Sequence, residues 1–292
     1  MIDYSVCIVL HNSKPELAML LDSIDACSGP RPQIICADSG SSDDGGVLAL
    51  ERGAELVSME GNVGFGAANN AALELALHPV SILLNPDCRV SGDNLVRLAL
   101  TAAAQRSLVA PRLLNADGTL QESAHPVPGG LDGYLASVTV PRLLGPRLGT
   151  HLQPFRSTKP TTVGWAIGAC IAARTELLTA LGPFDAADFL FAEDLDLCLR
   201  ARAQGLATIF DPTIEIVHSG AHTSEGGVDQ ERIQLQALRR REVILNQLGR
   251  GALARDDRSQ WLTFKVRAML RRDRELNECR AMAVRKAQKS PS

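Results

Sequence analysis

Aromatic side chains are scarce in this sequence, at 4% of its 292 residues, and neither sign of charge dominates it. The formal net charge is −3, so the chain lacks the broad basic surface that attracts nucleic acid. With so few aromatic rings, a platform on which nucleobases stack is also unexpected. The 45% of hydrophobic residues is ordinary for a globular protein, and we expect no nucleic acid among its partners.

The sequence also lacks cysteine pairs and long apolar runs. Its seven cysteines are scattered, odd in number and never spaced as C-x-x-C, which indicates reduced thiols that pack inside a cytoplasmic protein. No apolar run approaches the ~20 residues that a membrane-spanning helix needs. Residues 1–4 lead directly into a short apolar strand, so we expect no secretory signal.

What the chain does have is an alternation of apolar runs and amphipathic stretches. Residues 5–10 and 33–37 are predicted to be strands, and residues 13–24 between them carry a capping box and a helical apolar face. Strand, helix and strand in so short a span predict a parallel pair with a right-handed crossover. Further helices are predicted at 47–52, from about 66 and at 94–105, and further strands at 54–59 and 108–114. The expected fold class is therefore α/β.

The run at residues 81–87 ends a predicted strand with Asn85, Pro86 and Asp87. Pro86 cannot donate to a sheet, so the strand stops there and Asp87 follows its carboxyl end, the edge where open α/β sheets bind ligands. A carboxylate beside an Asn side chain suits a divalent cation that carries a phosphorylated ligand. The same residues also form ordinary turns, so this stretch alone leaves both interpretations open.

Two further turns are predicted to reach the same edge. Asp38 ends the second strand beside His11 and Asn12, where an acid can bind a nucleobase or a ribose hydroxyl; a solvated turn acid is the alternative. Residues 61–70 are rich in small side chains and open a helix whose amide groups would point at a diphosphate. The Gly-x-Gly in this stretch is not a dinucleotide fingerprint, because it follows the third strand and lacks a third glycine.

Periodicity is weaker in the middle of the chain. Residues 115–118 predict a hairpin turn. Residues 122–162 contain frequent Pro and Gly, and we expect a long, partly mobile loop that could serve as an acceptor lid. Residues 163–173 are predicted to form one strand, and residues 174–181 a short helix.

Acidic residues open the next predicted helix, at residues 193–204. Glu193 and Asp194 lie in its first turn, where the helix dipole stabilises their ionised forms; acids are also simply favourable helix starters. Two short strands, 208–210 and 214–217, follow on either side of a turn. The second delivers His218 into a Gly- and Ser-rich loop, where it is a candidate metal ligand, although a lone histidine is more often structural.

The chain from residue 230 onward is predicted to be helical with a basic bias. Apolar and basic residues interleave at 261–272, which suits a helix lying on an anionic membrane surface; a helix docked on the domain is the alternative. Residues 286–292 are expected to be disordered. We therefore divide the chain into an α/β domain at residues 1–228 and a helical, basic extension at residues 229–292.

The order of these motifs resembles that of the family 2 glycosyltransferases, and in particular their rhamnosyltransferase-like branch. The resemblance covers residues 5 to about 222, and each motif alone is weak evidence. It implies a GT-A fold, Rossmann-like with a mostly parallel central sheet flanked by helices, followed by the helical extension. The matching stretches are residues 9–12, 38–43, 62–70, 84–87, 168–170 and 191–198, with His218.

By that resemblance, Asp38 contacts the base or ribose of a nucleotide sugar that is dTDP- or UDP-linked. The other donor-binding residues would be Leu10, His11, Asn12, Asn62, Gly64, Asn69 and Asn85. The acceptor would meet Trp165, Gly168 and Ala169.

The resemblance also implies a metal and a base. Asp87 is the last residue of the family's metal motif, often Asp-x-Asp; this chain has Asn85 at the first acid, which reduces the negative charge there. His218 would be a second protein ligand to Mg²⁺ or Mn²⁺, and Asp194, with Glu193 beside it, matches the catalytic base. Such a cation neutralises the leaving diphosphate, while a carboxylate takes the proton of the acceptor hydroxyl. One base and one metal suffice for a single displacement that inverts the anomeric centre.

The sequence therefore predicts an inverting glycosyltransferase of the hexosyl-transferring class. Rhamnose from dTDP-rhamnose is the expected donor group, with UDP-galactofuranose or another UDP-hexose as the alternative. The expected acceptor is a cell-envelope glycan or lipid-linked sugar, met in the cytoplasm at the inner face of the cell membrane through the C-terminal helices. A nucleotidyltransferase and a non-catalytic nucleotide-sugar-binding protein are the rival interpretations.

Overall fold

The computed structural model describes residues 2–138, 145–182, 184, 191–220, 229–271 and 273–289. The strands are β1 (Ser5–Leu10), β2 (Gln33–Asp38), β3 (Glu55–Ser58), β4 (Val80–Leu84), β5 (Cys88–Arg89), β6 (Ser107–Leu114), β7 (Ala124–His125), β8 (Thr161–Val163), β9 (Trp165–Ala166), β10 (Cys170–Arg174) and β11 (Ala207–His218). The helices are α1 (Lys14–Asp25), α2 (Gly45–Glu51), α3 (Phe65–Glu74), α4 (Asn94–Ala104), α5 (Leu131–Val138), α6 (Gly145–Leu152), α7 (Thr175–Leu181), α8 (Glu193–Ala203), α9 (Gln230–Met269) and α10 (Arg274–Ala287).

The main sheet runs in the order β3-β2-β1-β4-β10-β6-β11-β5, with β8 paired to β11. The strands β1, β2, β3 and β4 are parallel to their neighbours in this group, and β6 is parallel to β11. Leu10 pairs with Asp38 and Asp38 with Ser58, so the first three strands end at one edge. The predicted α/β fold, a mostly parallel sheet flanked by helices, is confirmed, and so are the C-terminal helices.

Both faces of the sheet are covered, which explains why its strands are apolar throughout. In β1, Ile8 and Leu10 pack on one face with the buried leucines of α1, while Cys7 and Val9 pack on the other with Ala68 of α3. Side chains alternate between the faces of a strand, so a strand buried on both sides needs an unbroken apolar run. The first helices and strands begin and end within two residues of the predicted positions.

The prediction of a long, partly mobile loop over residues 122–162 was wrong, because the described part contains helices. This stretch holds α5, α6 and a 3-10 turn at Pro154–Arg156, and Phe155 is buried against Ala124, Val163 and Phe210. Short helices gain their stability from tertiary packing, here α5 against α9, which local periodicity does not reveal. The part of the predicted loop at residues 139–144 lies outside the described residues.

The strand boundaries that follow also differ from prediction. Residues 163–173 form pieces of β8, β9 and β10 rather than one strand, because the chain at Gly164 lies so close to Val127 that a Cβ would collide with its backbone. The two short strands predicted at 208–217 are one strand, β11, with an irregularity between Asp211 and Glu215. The Asp211 side chain accepts a hydrogen bond from the Thr213 amide at 3.0 Å and so stabilises the kink within the strand.

The C-terminal helices fold back on the domain. α9 is interrupted at Gly249 (φ 82°), and an ion pair between Arg240 and Asp256 joins its two halves at 2.8 Å. Sixteen residues of straight helix would separate that pair by about 24 Å, so the chain turns back at the glycine. The prediction that disorder begins at residue 286 was wrong, because α10 runs to Ala287, which is 1% exposed. Residues 290–292 of the predicted disordered segment lie outside the described part. Within the described residues, no helix is both long and apolar enough to cross a bilayer.

Candidate active site

Hydrogen bonds tie together the three turns that follow β1, β2 and β3. His11 Nδ1 lies 2.8 Å from the Ser39 carbonyl oxygen, and Asn62 Nδ2 lies 3.2 Å from His11 Nε2. A carbonyl oxygen can only accept, so Nδ1 carries the proton and Nε2 accepts from the Asn62 amide. The Ser39 hydroxyl donates to Asn62 Oδ1 at 3.3 Å and accepts from the Val63 amide at 3.0 Å. The structure thus brings His11 and Asn62 together at the edge where the sequence placed them.

Asn12 and Asp38 stabilise the turn after β2. Asn12 adopts a left-handed conformation (φ 51°), and its Oδ1 accepts from the Ser42 amide at 2.8 Å. Asp38 Oδ1 accepts from the Ser41 amide at 2.9 Å. The Leu10 side chain is fully buried in the core, so its part at this edge is made by its backbone carbonyl, which accepts from the Ser39 amide.

The helix α3 begins at the same edge, after Gly64 (φ 85°). Asn69 is 1% exposed and donates to the Phe65 carbonyl within its own helix, so its role in donor binding stays a prediction. Its neighbour Asn70, which sequence reasoning did not single out, holds the backbone of Phe184 from both sides. Asn70 Nδ2 donates to the Phe184 carbonyl at 2.8 Å, and Oδ1 accepts from the Phe184 amide at 3.2 Å.

Asp87 and His218, far apart in sequence, meet beyond the ends of β4 and β11. His218 Nε2 lies 3.3 Å from Asp87 Oδ1, and the two side chains are only 14% and 7% exposed. His218 Nδ1 lies 2.9 Å from Gln121 Oε1, and this amide oxygen accepts, so Nδ1 carries a proton. In the neutral imidazole, Nε2 then presents a lone pair to a carboxylate oxygen, an arrangement that calls for a cation or a second proton between the two atoms.

The turn that carries Asp87 has a further oxygen available. Asn85 Oδ1 is buried and has no hydrogen-bond partner among the described residues. A carboxylate, an imidazole and an amide oxygen fit a divalent cation such as Mn²⁺, with Asp87 and His218 as its protein ligands. The described residues contain no group of three or more His, Cys, Asp and Glu placed to hold a metal, so diphosphate and water oxygens would complete the coordination. When bound, the cation would neutralise charge on a leaving diphosphate.

Asp194 is held in the first turn of α8 by two amide groups. Oδ2 accepts from the Gly168 amide at 2.9 Å, and Oδ1 accepts from the Leu195 amide at 2.7 Å. Burial raises the pKa of Asp194, while these amides and the positive charge of Arg240 act in the opposite direction. A carboxyl group with a raised pKa is a stronger proton acceptor, which is the property that a general base needs. Glu193 lies partly buried in the same turn.

The chain entering α8 has an unusual backbone. Phe191 (φ 75°) and Ala192 (φ 64°) are consecutive non-glycine residues in the left-handed region. Each such residue costs on the order of 1 kcal/mol or more, and strain of this kind clusters at functional sites. Here it sets the orientation of the acidic turn that follows.

Two successive residues connect the acidic turn to the turn that carries Asp87. The Gly168 amide donates to Asp194, and the Ala169 carbonyl accepts from the Asn85 amide at 2.9 Å. A Cβ at Gly168 would lie 3.1 Å from Asp194 Cβ, so the glycine permits this close approach. The carboxylates Asp87 and Asp194 therefore lie at one rim of the sheet. Of the three residues expected to meet the acceptor, Gly168 and Ala169 form this bridge. The third, Trp165, stacks on His125 with ring centroids 4.3 Å apart.

Sequence reasoning missed Gln121 and Arg240 as well as Asn70. Gln121 lies just after a hairpin turn, and no pattern in the sequence marks it as a partner of His218. Arg240 lies in a helix with many basic residues, so its buried pair with Asp256 cannot be told from solvated charges. Asn70 was within a noted motif, but the Phe184 that it holds lies more than a hundred residues away.

The chain is similar to known glycosyltransferases. The sequence profile of the family described as "Glycosyl transferase family 2" matches residues 5–145. An N-acetylglucosaminyl-diphospho-decaprenol L-rhamnosyltransferase of Mycobacterium tuberculosis is 26% identical over 236 residues, which cover 75% of this chain and 76% of that protein. Rhamnosyltransferase WbbL of Escherichia coli is 25% identical over 230 residues, which cover 74% of this chain and 83% of that protein.

Solved structures agree on the fold. Mannosyltransferase PcManGT from Pyrobaculum calidifontis, in complex with GDP-Man and Mn²⁺, matches with a TM-score of 0.62 at 15% sequence identity. The match covers 100% of this chain and 90% of that one. Together with the sheet order and the acidic turn bridged to Asp87, these similarities show that the chain has a GT-A fold and resembles the family 2 glycosyltransferases, rhamnosyltransferases among them.

Proposed function

We propose that this glycosyltransferase moves rhamnose from dTDP-rhamnose to a cell-envelope glycan or lipid-linked acceptor, with inversion at the anomeric carbon. The bridge from Asp194 through Gly168 and Ala169 to the Asn85 turn carries the proposal, because it supports a base at Asp194 that acts beside a cation at Asp87. The names of the rhamnosyltransferase relatives support the sugar, and one of those names contains a diphospho-decaprenol sugar.

In this proposal Asp194 accepts the proton of the acceptor hydroxyl while that oxygen attacks the anomeric carbon. The bond from that carbon to the diphosphate breaks in the same displacement, so the configuration inverts. The hydrogen-bonded turns at His11, Asp38 and Asn62 hold the nucleotide, and Asp87 with His218 holds Mn²⁺ or Mg²⁺ at the diphosphate. The nucleobase that binds at Asp38 is thymine if the donor is dTDP-rhamnose. It is uracil if the donor is a UDP-hexose such as UDP-galactofuranose.

The proposal includes contact with an anionic membrane through the C-terminal helices. Trp261, Lys265, Met282, Arg285, Lys286 and Lys289 surround one shallow hollow where α9 meets α10. Met269, Leu270 and Met282 are 82%, 65% and 60% exposed. Apolar side chains among lysines and arginines are typical of helices that lie at a lipid surface. Cosedimentation with phosphatidylglycerol vesicles should exceed that with phosphatidylcholine vesicles, and equal sedimentation would contradict the contact.

A donor panel tests the transferase function. Purified protein is mixed with dTDP-rhamnose, UDP-galactofuranose and UDP-hexoses in the presence of Mn²⁺, and both thermal stabilisation and release of the nucleoside diphosphate are recorded. We expect one donor to raise the melting temperature and to be hydrolysed slowly. Donor binding without any turnover, with acceptor glycans or without, would instead favour a non-catalytic binding protein.

The substitution Asp194→Asn tests the base. It preserves the shape of the side chain and should lower turnover by about 10²–10⁴-fold while leaving donor affinity nearly unchanged. Glu176→Gln, at a residue whose side chain is 78% exposed on α7, is the control and should leave turnover as it was. Near-normal turnover in a folded Asp194→Asn variant would exclude Asp194 as the base.

A further inference from the structure

A cavity of about 430 Å³ lies between the α/β domain and the C-terminal helices. Its lining comes from the β7 and β9 region, from α5 and from both halves of α9, with α10 closing one side. Many of the lining side chains are apolar, including Val127, Phe155, Ile233, Phe264 and Val284. A cavity of this volume and character is in the range that binds small organic ligands.

The charges around the cavity do not cancel. Four arginines and three carboxylates line it. Arg240 pairs with Asp256, Arg241 with Asp257, and Arg267 with Glu122. The fourth arginine, Arg280, makes no ion pair with any described residue, and its guanidinium lies over the ring of Phe264 at 5.7 Å. Arg280 is therefore the cavity arginine that a negatively charged ligand could pair with.

The electrostatic surroundings of the cavity include further groups. Burial and the charge of Arg267 lower the pKa of Arg280, while the charges of Glu122 and Asp273 act in the opposite direction. The His125 imidazole at the cavity wall is neutral, because burial and Arg240 lower its pKa to about 4. Among the described residues, Arg280 is thus the cavity arginine without an ion pair, and it lies beside the apolar wall formed by Phe264.

Two residues that line the cavity, Trp165 and Arg240, also lie near Asp194, the proposed general base. Trp165 lines the cavity and packs with Ala192 and Leu195 around the start of α8. Arg240 also lines it, with its guanidinium 5.8 Å from the Trp165 ring, and its charge lowers the pKa of Asp194. A ligand in this cavity therefore approaches Asp194 from the side of the C-terminal helices, whereas the donor turns lie at the ends of β1, β2 and β3.

We propose that the cavity binds the head of an isoprenoid diphosphate-linked acceptor, with a phosphate at Arg280, the first isoprene units against the apolar lining, and the sugar facing Trp165. The inference rests on the proposed transferase function, because it assigns the acceptor of that same reaction. The C-terminal helices thereby become part of the acceptor site as well as a membrane contact.

Calorimetric titration with geranyl diphosphate tests the assignment. Arg280→Gln should weaken its binding at least about tenfold, since a charge-assisted hydrogen bond is lost. Arg274→Gln is the matched control, because Arg274 lies on the same helix, pairs with Glu278 at 2.9 Å and lies outside this cavity. Ala136→Phe, which adds a ring at the α5 wall, should weaken binding without changing the charge. Geraniol should bind far more weakly than the diphosphate.

Loss of affinity in Arg280→Gln and Ala136→Phe, with Arg274→Gln unchanged, supports the cavity as the acceptor site. Equal affinity in all variants overturns it, and so does equal binding of dihexanoyl phosphatidylglycerol, which would assign the cavity to a membrane lipid. Thermal stabilisation by nucleotide sugars is measured on the same variants. If no nucleotide sugar binds while geranyl diphosphate binding still follows Arg280, the transferase proposal fails and the cavity remains a diphosphate site.

Discussion

At the scale of single residues, Asp194 is subject to opposing influences. Burial raises its pKa, and two amide groups with the cation of Arg240 lower it. Arg240 is itself fixed by a two-pronged pair with Asp256, at 2.9 and 2.8 Å. The C-terminal helix therefore contributes to the protonation state of a carboxylate on α8.

Removal of that cation should change the pH dependence of catalysis. Without Arg240 the pKa of Asp194 rises, so the deprotonated base is lost at higher pH as the solution is acidified. The acidic limb of the kcat/KM profile should therefore move to higher pH in Arg240→Gln. The double variant Arg240→Gln/Asp256→Asn should show the same shift without a carboxylate left buried alone. Arg202→Gln, an exposed cation on α8, should leave the profile in place, and an unshifted acidic limb in Arg240→Gln would contradict the coupling.

Gln121 should matter for metal affinity although it is not predicted to touch the cation. Its oxygen holds the Nδ1 proton of His218 and so directs the Nε2 lone pair toward Asp87. Loss of such a partner typically costs 10–100-fold in metal affinity. We expect Gln121→Ala to weaken Mn²⁺ binding by about that factor in an electron paramagnetic resonance titration with UDP present. Gln204→Ala, at an exposed position, serves as the control, and equal affinities would mean that His218 needs no orientation.

At the scale of elements, the turn inside α9 depends on one glycine. Gly249 has a φ of 82°, and a Cβ there would meet nothing within 4 Å, so a substitution acts through the backbone alone. Gly249→Ala should lower the free energy of unfolding by about 1–3 kcal/mol in urea denaturation. Gly251→Ala is the matched control two residues later, where a Cβ would meet Arg255 at an ordinary 3.5 Å and where alanine favours the helix. If both substitutions had the same effect on unfolding, the left-handed turn would not be a constraint.

The elements that the sequence predicted well share one property, which is that their pattern is local. β1, α1 and β2 show apolar runs and a capping box that need no distant partner to be recognised. α5 and α6 could not be predicted, since their order comes from packing against α9 and around Phe155. The break between β8 and β9 depends on the close approach of Gly164 to Val127, a contact between segments that only the folded chain brings together.

At the scale of the whole molecule, the extension is joined to the domain by polar contacts at several points. Gln247 donates to Asp196 at 2.9 Å, Arg255 to the Gly129 carbonyl at 2.6 Å, and Arg267 pairs with Glu122 at 3.1 Å. One basic residue of the stretch at 261–272, Arg267, thus joins the extension to the domain. The sequence alone left both a docked helix and a membrane helix open for this stretch. The division of the chain at residue 229 stays a prediction.

This interface should make the protein sensitive to acid. His125 has a folded pKa of about 4, whereas an unfolded histidine has a pKa of 6.5, so the unfolded chain binds the extra proton between these values. Stability from this group is complete above pH 6.5 and is lost as the pH falls toward 4, by at most about 3 kcal/mol. His125→Phe keeps a ring against Trp165 and should flatten the fall in urea midpoint across that range. An unchanged slope would show that His125 titrates normally.

The residues of the candidate site that follow predicted strands could be predicted from the sequence. The residues that act through partners distant in the chain could not. Asp38, Asp87 and His218 follow predicted strands, and strand ends of one sheet converge at an edge, so the sequence could place them together. Gln121, Asn70 and Arg240 act through partners distant in the chain, and no local pattern records those contacts. Asn69 shows the reverse case, because its motif is local but its side chain bonds within its own helix.

The central claim is that the turns after β1, β2 and β3, the Asp87–His218 pair and Asp194 form one site for a nucleotide diphosphate sugar. Anomalous diffraction from crystals grown with Mn²⁺ and UDP or dTDP tests it most directly. We predict one manganese peak within bonding distance of both Asp87 and His218, with the nucleotide against His11 and Asp38. A nucleotide bound elsewhere, or a manganese ion that contacts neither residue while the nucleotide is bound, would contradict the account.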